Sequence, residues 1–332
     1  MRVAVTGASG FLGGHVCEAL LERGHEPVAL IRPTSDDSLL SSLGVEIRHA
    51  DLVDGPSLKE GLQGVDAVMH LAAYYTFFGS WDLYERVNVT GTRLLLEAMF
   101  DAGVDRIIHC STTEVIGPVN DPPADEKAEP NPTYDYGRSK LMAEEVVRSY
   151  GKRGASYTIL RPSGIYGPRN VDDISYWTIT SYANNALGTR FHVGSARSLI
   201  QFVHVHDVVQ AFMLALEQPE VSCGKTYNVS DSRAYSYKEV YDILSELTGR
   251  PPPSLHVSRA LARLMVSPVE VAMRFIGRES FLYRRSTIDS VTTDRAYSIE
   301  RISRELGYEP RYDLRSGLED TVAWYREHGH IR

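Results

Sequence analysis

Cysteine is scarce in this chain. Among 332 residues there are three, Cys17, Cys110 and Cys223, far apart and with no CxxC pair. That excludes a disulfide framework and points to a reducing compartment, so a cytoplasmic location is expected. Positive charge is in deficit as well: 35 Lys and Arg stand against 43 Asp and Glu, a net charge of −8. No nucleic-acid partner is expected from such a balance. Long hydrophobic runs are missing, and none approaches the roughly 18 residues of a membrane span. A strand-like run begins at Arg2, so no signal peptide is expected either. Internal repeats and low-complexity tracts are also lacking.

What is present is the composition of a soluble globular protein, 43% hydrophobic and 23% charged. Short apolar runs, "RVAVTG", "EPVALIRP", "VEIRHADL", "DAVMHLAA", "DRIIHCST" and "YTILRP", alternate with helical stretches such as "ERVNVTGTRLLLEAMFDAG" and "YDYGRSKLMAEEVVRSYG". Strand alternating with helix implies βαβ units and an α/β fold with a doubly wound parallel sheet. After about residue 166 the pattern becomes irregular, with turn signals such as "GRPPPS". "QFVHVHDVVQAFMLALEQ" reads as a strand and helix returning to the main sheet. The expected division is a nucleotide-binding domain over 1–166 plus about 201–222, and a smaller, discontinuous, mostly C-terminal substrate domain over 167–200 and 223–332.

"TGASGFLG" sets Gly7, Gly10 and Gly13 between the first strand and the first helix. Glycines at this GxxGxxG spacing allow a tight turn and bring a pyrophosphate to backbone N–H groups at the helix start, here around Ser9, Gly10, Phe11 and Leu12. An NAD site places Asp or Glu at the end of the second strand. This chain has Ile31 and Arg32 there. A guanidinium grips phosphate, so NADP(H) is the favoured cofactor, with Arg32 on the 2′-phosphate, and NAD(H) the alternative.

Within "TYDYGRSK", Tyr136 stands four residues before Lys140 and shares a helix face with it, whereas Tyr134 does not. With this pair in view the chain resembles the extended short-chain dehydrogenase/reductase family, of the NAD-dependent epimerase/dehydratase type, over essentially its whole length. The motifs that carry the resemblance are "TGASGFLG", "ADLVD", "HLAA", "NVTGT", "STTEVIG", "YGRSK", "RPSGIYGP", "FVHVHDVV" and "LGYEP". It implies a Rossmann-type fold, Asp51 and Leu52 beside the adenine, and Leu71, Ala72 and Ala73 along the cofactor. It also implies that Thr112 joins Tyr136 and Lys140 as the catalytic set. Asn88 is a supporting residue by resemblance, and the helices over 85–103 and 136–150 imply a homodimer.

Tyr136 is then the acid/base. Lowering a phenol from pH ~10 by about 3 units takes roughly 4 kcal/mol, which a Lys140 ammonium and a cationic nicotinamide can supply. Thr112 would orient the reacting oxygen. His204 and His206 fall on one strand face, but no further ligands accompany them and no metal is expected. His70 reads as a packed histidine.

For the substrate two readings stay open. Where relatives acting on nucleotide sugars carry Asn and a diphosphate-binding Arg, this chain has Gly164 and Ile200. With the aromatic loop Tyr74, Tyr75, Phe77, Phe78 and Trp81, that favours an apolar ring alcohol or ketone, close to the branch of 3β-hydroxysteroid dehydrogenases and dihydroflavonol reductases. Glu114, an acid/base in nucleotide-sugar dehydratases and decarboxylases, and Arg284 as a second phosphate-binding Arg, argue for a nucleotide-sugar epimerase, dehydratase or decarboxylase with tightly held NAD. A pure binding protein would not need Thr112, Tyr136 and Lys140 together. The apolar stretch 254–277, punctuated by Arg259, Arg263 and Arg274, reads as a core helix in preference to a lid or a membrane-surface helix.

Overall fold

The computed structural model describes residues 1–76, 79–171, 173–275 and 284–331, with Arg274 by its backbone alone. Phe77 and Phe78 of the aromatic loop, and the last two residues of 254–277, lie outside them.

Six strands arise where the apolar runs were read: β1 (Arg2–Thr6), β2 (Glu26–Ile31), β3 (Glu46–His49), β4 (Ala67–His70), β5 (Arg106–Cys110) and β6 (Ser156–Pro162). A seventh, Lys225–Val229, joins β6, although the sequence placed it in the smaller domain. All pair in parallel, and the order runs Lys225–Val229, β6, β5, β4, β1, β2, β3. Helices α1 (Phe11–Glu22), α2 (Ser38–Ser42), α3 (Gly55–Gly61), α4 (Trp81–Tyr84), α5 (Gly91–Ala102) and α6 (Asp135–Gly151) connect them. Central strands such as Val3–Val5 and Ile107–Ile108 are buried on both faces, so their runs are apolar without alternation.

The strand order reverses between β1 and β4. Ligands of open parallel sheets bind outside the carboxyl ends of the strands at such a reversal. Thr6 ends β1 there, and its hydroxyl accepts the Ala72 N–H beyond β4 at 3.2 Å.

Two sequence expectations need correction. The long helix over 85–103 is regular only from Gly91, because Glu85–Thr90 forms a π-helical turn. Phe202–His204 does not return to the main sheet. It pairs with Gly164–Tyr166 in a separate two-stranded ribbon, while the helix that follows, Val205–Glu217, does pack on α1. His204 therefore ends a strand and His206 opens a helix, so they do not share a strand face. Among the described residues no group of His, Cys, Asp and Glu is arranged to hold a metal, and no helix is long and apolar enough to cross a membrane.

Candidate active site

One cavity of about 1200 Å³ opens at the carboxyl end of the sheet, and the expected residues divide around it. Ser9, Gly10, Phe11 and Leu12 line it from the start of α1, and Leu71 and Ala73 from the end of β4. Thr112, Glu114 and Tyr136 line it from beyond β5 and from the first turn of α6. Gly7, Gly13, Ala72 and Lys140 are not among its lining residues. Asp51 and Leu52 follow β3, and Arg32 leaves β2 exposed at the surface.

The glycine loop is shaped by what cannot fit in it. Gly7 has φ +72°, and a Cβ there would stand 2.8 Å from the Ala72 nitrogen. A Cβ on Gly13 would stand 2.1 Å from the Gly7 carbonyl. Only glycines let α1 start this close to β1 and β4. No side chain caps the helix start, which leaves the N–H groups there for an anion. The cradle fits a dinucleotide.

Thr112 precedes a single 3₁₀ turn, Thr113–Val115, and its hydroxyl accepts the Glu114 N–H at 3.2 Å. Gly137 lies against this turn, and a Cβ there would meet the Glu114 carbonyl at 2.7 Å. The second residue of "YGRSK" thus lets the first turn of α6, which carries Tyr136, pack against the turn that follows Thr112. A buried ion-pair network fixes the same corner. The Glu144 carboxylate accepts from Arg161 at 2.8 and 2.7 Å, from Arg148 at 2.9 Å and from the Ser111 hydroxyl at 2.5 Å.

Tyr136 and Lys140 lie one helical turn apart on α6, as their spacing predicts. Tyr134, the residue before α6, instead donates its hydroxyl to the Ser286 carbonyl at 3.0 Å. Lys140 is buried, its Nζ 3.4 Å from His109 Nε2, and burial lowers its pKa to about 8. The protein's own groups do not lower Tyr136. Burial, then Cys110, Asp173 and Glu114, hold its phenol above the ordinary value. His70 is the packed histidine expected: Thr6 and Thr92 hydroxyls hold it at 2.8 and 2.9 Å, and burial lowers it to about 3.

Asn88 sits in the π-helical turn. Its carbonyl accepts the Tyr74 N–H at 2.7 Å, and its amide donates to the Tyr74 carbonyl at 3.0 Å and the Ser139 hydroxyl at 2.9 Å. It therefore ties the loop after β4 to α6. In that loop Tyr75 lines the cavity, whereas Tyr74 packs on Tyr84 and Trp81 stacks under Arg138.

Glu114 is half-exposed but carries its counter-charge: Arg295, itself buried, donates to it at 2.6 Å. Arg295 lies 181 residues further along and gave no signal in the sequence. Gly164 and Ile200 both line the cavity, as does Arg284. The Phe202 ring lies over Gly164, 3.0 Å from where a Cβ would stand, so a side chain such as Asn there would have to displace the ring. Helix Arg259–Phe275 is not a core helix. Ala262, Val266 and Val269 line the cavity from one side of it, while Leu264 and Phe275 on the other are 71% and 87% exposed. Apolar spacing cannot distinguish a face against protein from a face against a void.

The family model described as "NAD dependent epimerase/dehydratase family" matches residues 3–230. Sterol demethylase protein B of Methylococcus capsulatus is 33% identical over 341 residues, covering all of both chains. Among solved structures, gox2253 has a TM-score of 0.85 and 30% identity, covering 100% of this chain and 99% of its own. MoeE5 in complex with UDP-glucuronic acid and NAD has a TM-score of 0.78 and 28% identity, covering 99% and 100%.

Proposed function

The chain belongs to the NAD dependent epimerase/dehydratase family, and on that premise we propose that it moves a hydride between a nicotinamide and a secondary alcohol or ketone of a non-nucleotide ring compound. The observation that carries this is the shared cavity, in which the glycine loop, Thr112 and Tyr136 open beside the apolar wall of Gly164, Phe202 and Ile200. The sterol in the name of the Methylococcus relative supports an apolar ring substrate.

The residues that would hold the dinucleotide are Gly7, Ser9, Gly10, Phe11, Leu12 and Gly13 at its pyrophosphate, Asp51 and Leu52 at its adenine, and Leu71 to Ala73 along its length. Lys140 would hold its nicotinamide ribose, and Arg32 favours NADP(H) over NAD(H) by meeting a 2′-phosphate. A bound nicotinamide supplies or accepts the hydride. Thr112 orients the substrate oxygen, and Tyr136 moves the proton at that oxygen. Its surroundings hold the phenol above its ordinary value, so proton transfer at neutral pH starts from the protonated form. Glu114 is paired with Arg295 at the cavity edge, and a role as acid/base requires that pair to open. A cytoplasmic homodimer through α5 and α6 completes the reading. Tyr136→Phe should lower NADPH-dependent ketone reduction roughly 10²–10⁴-fold and leave cofactor binding intact. Full activity in that variant removes Tyr136 from the role.

A second reading, a nucleotide-sugar enzyme with tightly held NAD, has Glu114 and the likeness to MoeE5 in its favour. Denaturing the purified protein and identifying released nucleotide separates the two. Stoichiometric NAD favours the second reading, and NADP(H) or no nucleotide favours the first.

A further inference from the structure

The chain after β4 is tied down on both sides of Tyr75. Asn88 clamps Tyr74 through both its backbone groups, and Tyr84 donates its hydroxyl to the Thr76 carbonyl on the other side of Tyr75. Between these clamps the Tyr75 ring meets the Tyr136 ring edge to face, centroids 4.8 Å apart and planes at 77°. The Tyr75 hydroxyl hydrogen-bonds Asp173. Asp173 belongs to the smaller part of the chain, where it caps the helix Ile174–Ala183 by accepting the Ile174 N–H at 2.5 Å. Tyr75 and Asp173 both line the cavity, so their contact spans from the loop of the main sheet to the first helix of the substrate side.

We propose that Tyr75 and Asp173 are positioning residues for Tyr136: together they fix its ring, join the two sides of the cavity at the reacting end, and place a carboxylate beside its phenol. This deepens the acid/base reading of Tyr136 and rests on it.

The groups that act on the Tyr136 phenol come from several elements. They are Cys110 at the end of β5, Glu114 on the 3₁₀ turn, Tyr84 of α4, Tyr75 of the loop, Asp173, and Lys140 on α6 itself. Burial keeps the Cys110 thiol protonated, with its pKa raised to about 11. Glu114 is offset by Arg295. The Asp173 carboxylate opposes loss of the phenol proton, and Tyr75 directs it. A ketone reductase gains from that bias because its tyrosine must stay a proton donor as pH rises.

Two conservative substitutions test this without unfolding the site. Tyr75→Phe keeps the ring contact and removes the hydrogen bond, and Asp173→Asn keeps a helix cap and removes the charge. The first readout needs no substrate: urea unfolding of both single variants and the double. A hydrogen bond between them makes the losses non-additive, the double being no less stable than the worse single, and additive losses overturn the bridge. The second readout is the pH profile of NADPH oxidation with a panel of apolar cyclic ketones. In Asp173→Asn the alkaline limb should move to lower pH by about half a unit or more, since one opposing charge is gone. In Tyr75→Phe kcat should fall about fivefold or more with the cofactor KM unchanged. Tyr136-dependent activity with an unmoved profile and unchanged kcat overturns this proposal alone. No turnover of any ketone, or full turnover in Tyr136→Phe, overturns the acid/base reading and this proposal with it.

Discussion

Two walls of the one cavity are built in opposite ways. The wall made by the end of β5 and the start of α6 rests on buried charge: Glu144 between Arg161 and Arg148, and Lys140 over His109. The wall made by helix Arg259–Phe275 is anchored mostly at the surface, by Arg259 and Arg263 to Asp289, with one buried carboxylate, Glu270, paired to Arg285, and it turns Leu264 and Phe275 to solvent. The first wall cannot shift without stranding a charge in the protein interior. The second can change its solvent-facing side chains, such as Leu264, at little cost. Chemistry that needs atoms held within about half an ångström belongs on the first, and a choice among substrates belongs on the second.

The contrast can be broken most severely at Glu144. Replacing it with Ala strands the buried Arg161 guanidinium, and breaking such a pair costs about 3–5 kcal/mol. Urea unfolding should show that loss, and a cost below about 1 kcal/mol would mean the first wall is no more rigid than the second. Acid attacks the same wall more gradually. His109 lies against Lys140 of α6 and His70 packs on His109, and burial holds both below the usual value of 6.5, His70 at about 3. The unfolded chain therefore takes up protons that the folded chain refuses. Stability present above pH 6.5 is lost as pH falls toward the folded values, by about 1.4 kcal/mol per unit for each histidine. Melting temperature followed from pH 7 to 5 should show this, with a shallower slope in His70→Asn. An unchanged slope would mean His70 is already charged in the fold. The smallest effect belongs to the second wall. Leu264→Ser should change stability by no more than about 0.5 kcal/mol, because Leu264 is already in water. A larger loss in a denaturant curve would mean that this face is covered in solution.

Much of the first wall was legible in the sequence because local rules govern it. The four-residue step from Tyr136 to Lys140 needs only a helix, and Gly13 needs only the turn it shares with Gly7. Asn88 was named without a partner, since its bond to Tyr74 depends on a π-helical turn that no apolar period announces. Asp173 carried a signal that was overlooked, an Asp directly before an apolar helical stretch, which is a helix cap. The sequence offers Tyr75 as an aromatic substrate contact, and nothing in it makes Tyr75 a neighbour of Tyr136. The seventh strand was missed because "KTYNV" is too short and polar to stand out among the turns around it.

By itself the sequence determined the parallel sheet, the glycine turn at its first strand and the spacing of tyrosine and lysine on one helix. These depend on periodicity and on steric limits that act within a few residues. Only the tertiary structure decided that Arg295 neutralises Glu114 across 181 residues, that Phe202 fills the space above Gly164, and that one face of helix Arg259–Phe275 borders a cavity. Those contacts join distant segments whose meeting is set by how the whole chain packs, and no local pattern encodes the distance between them.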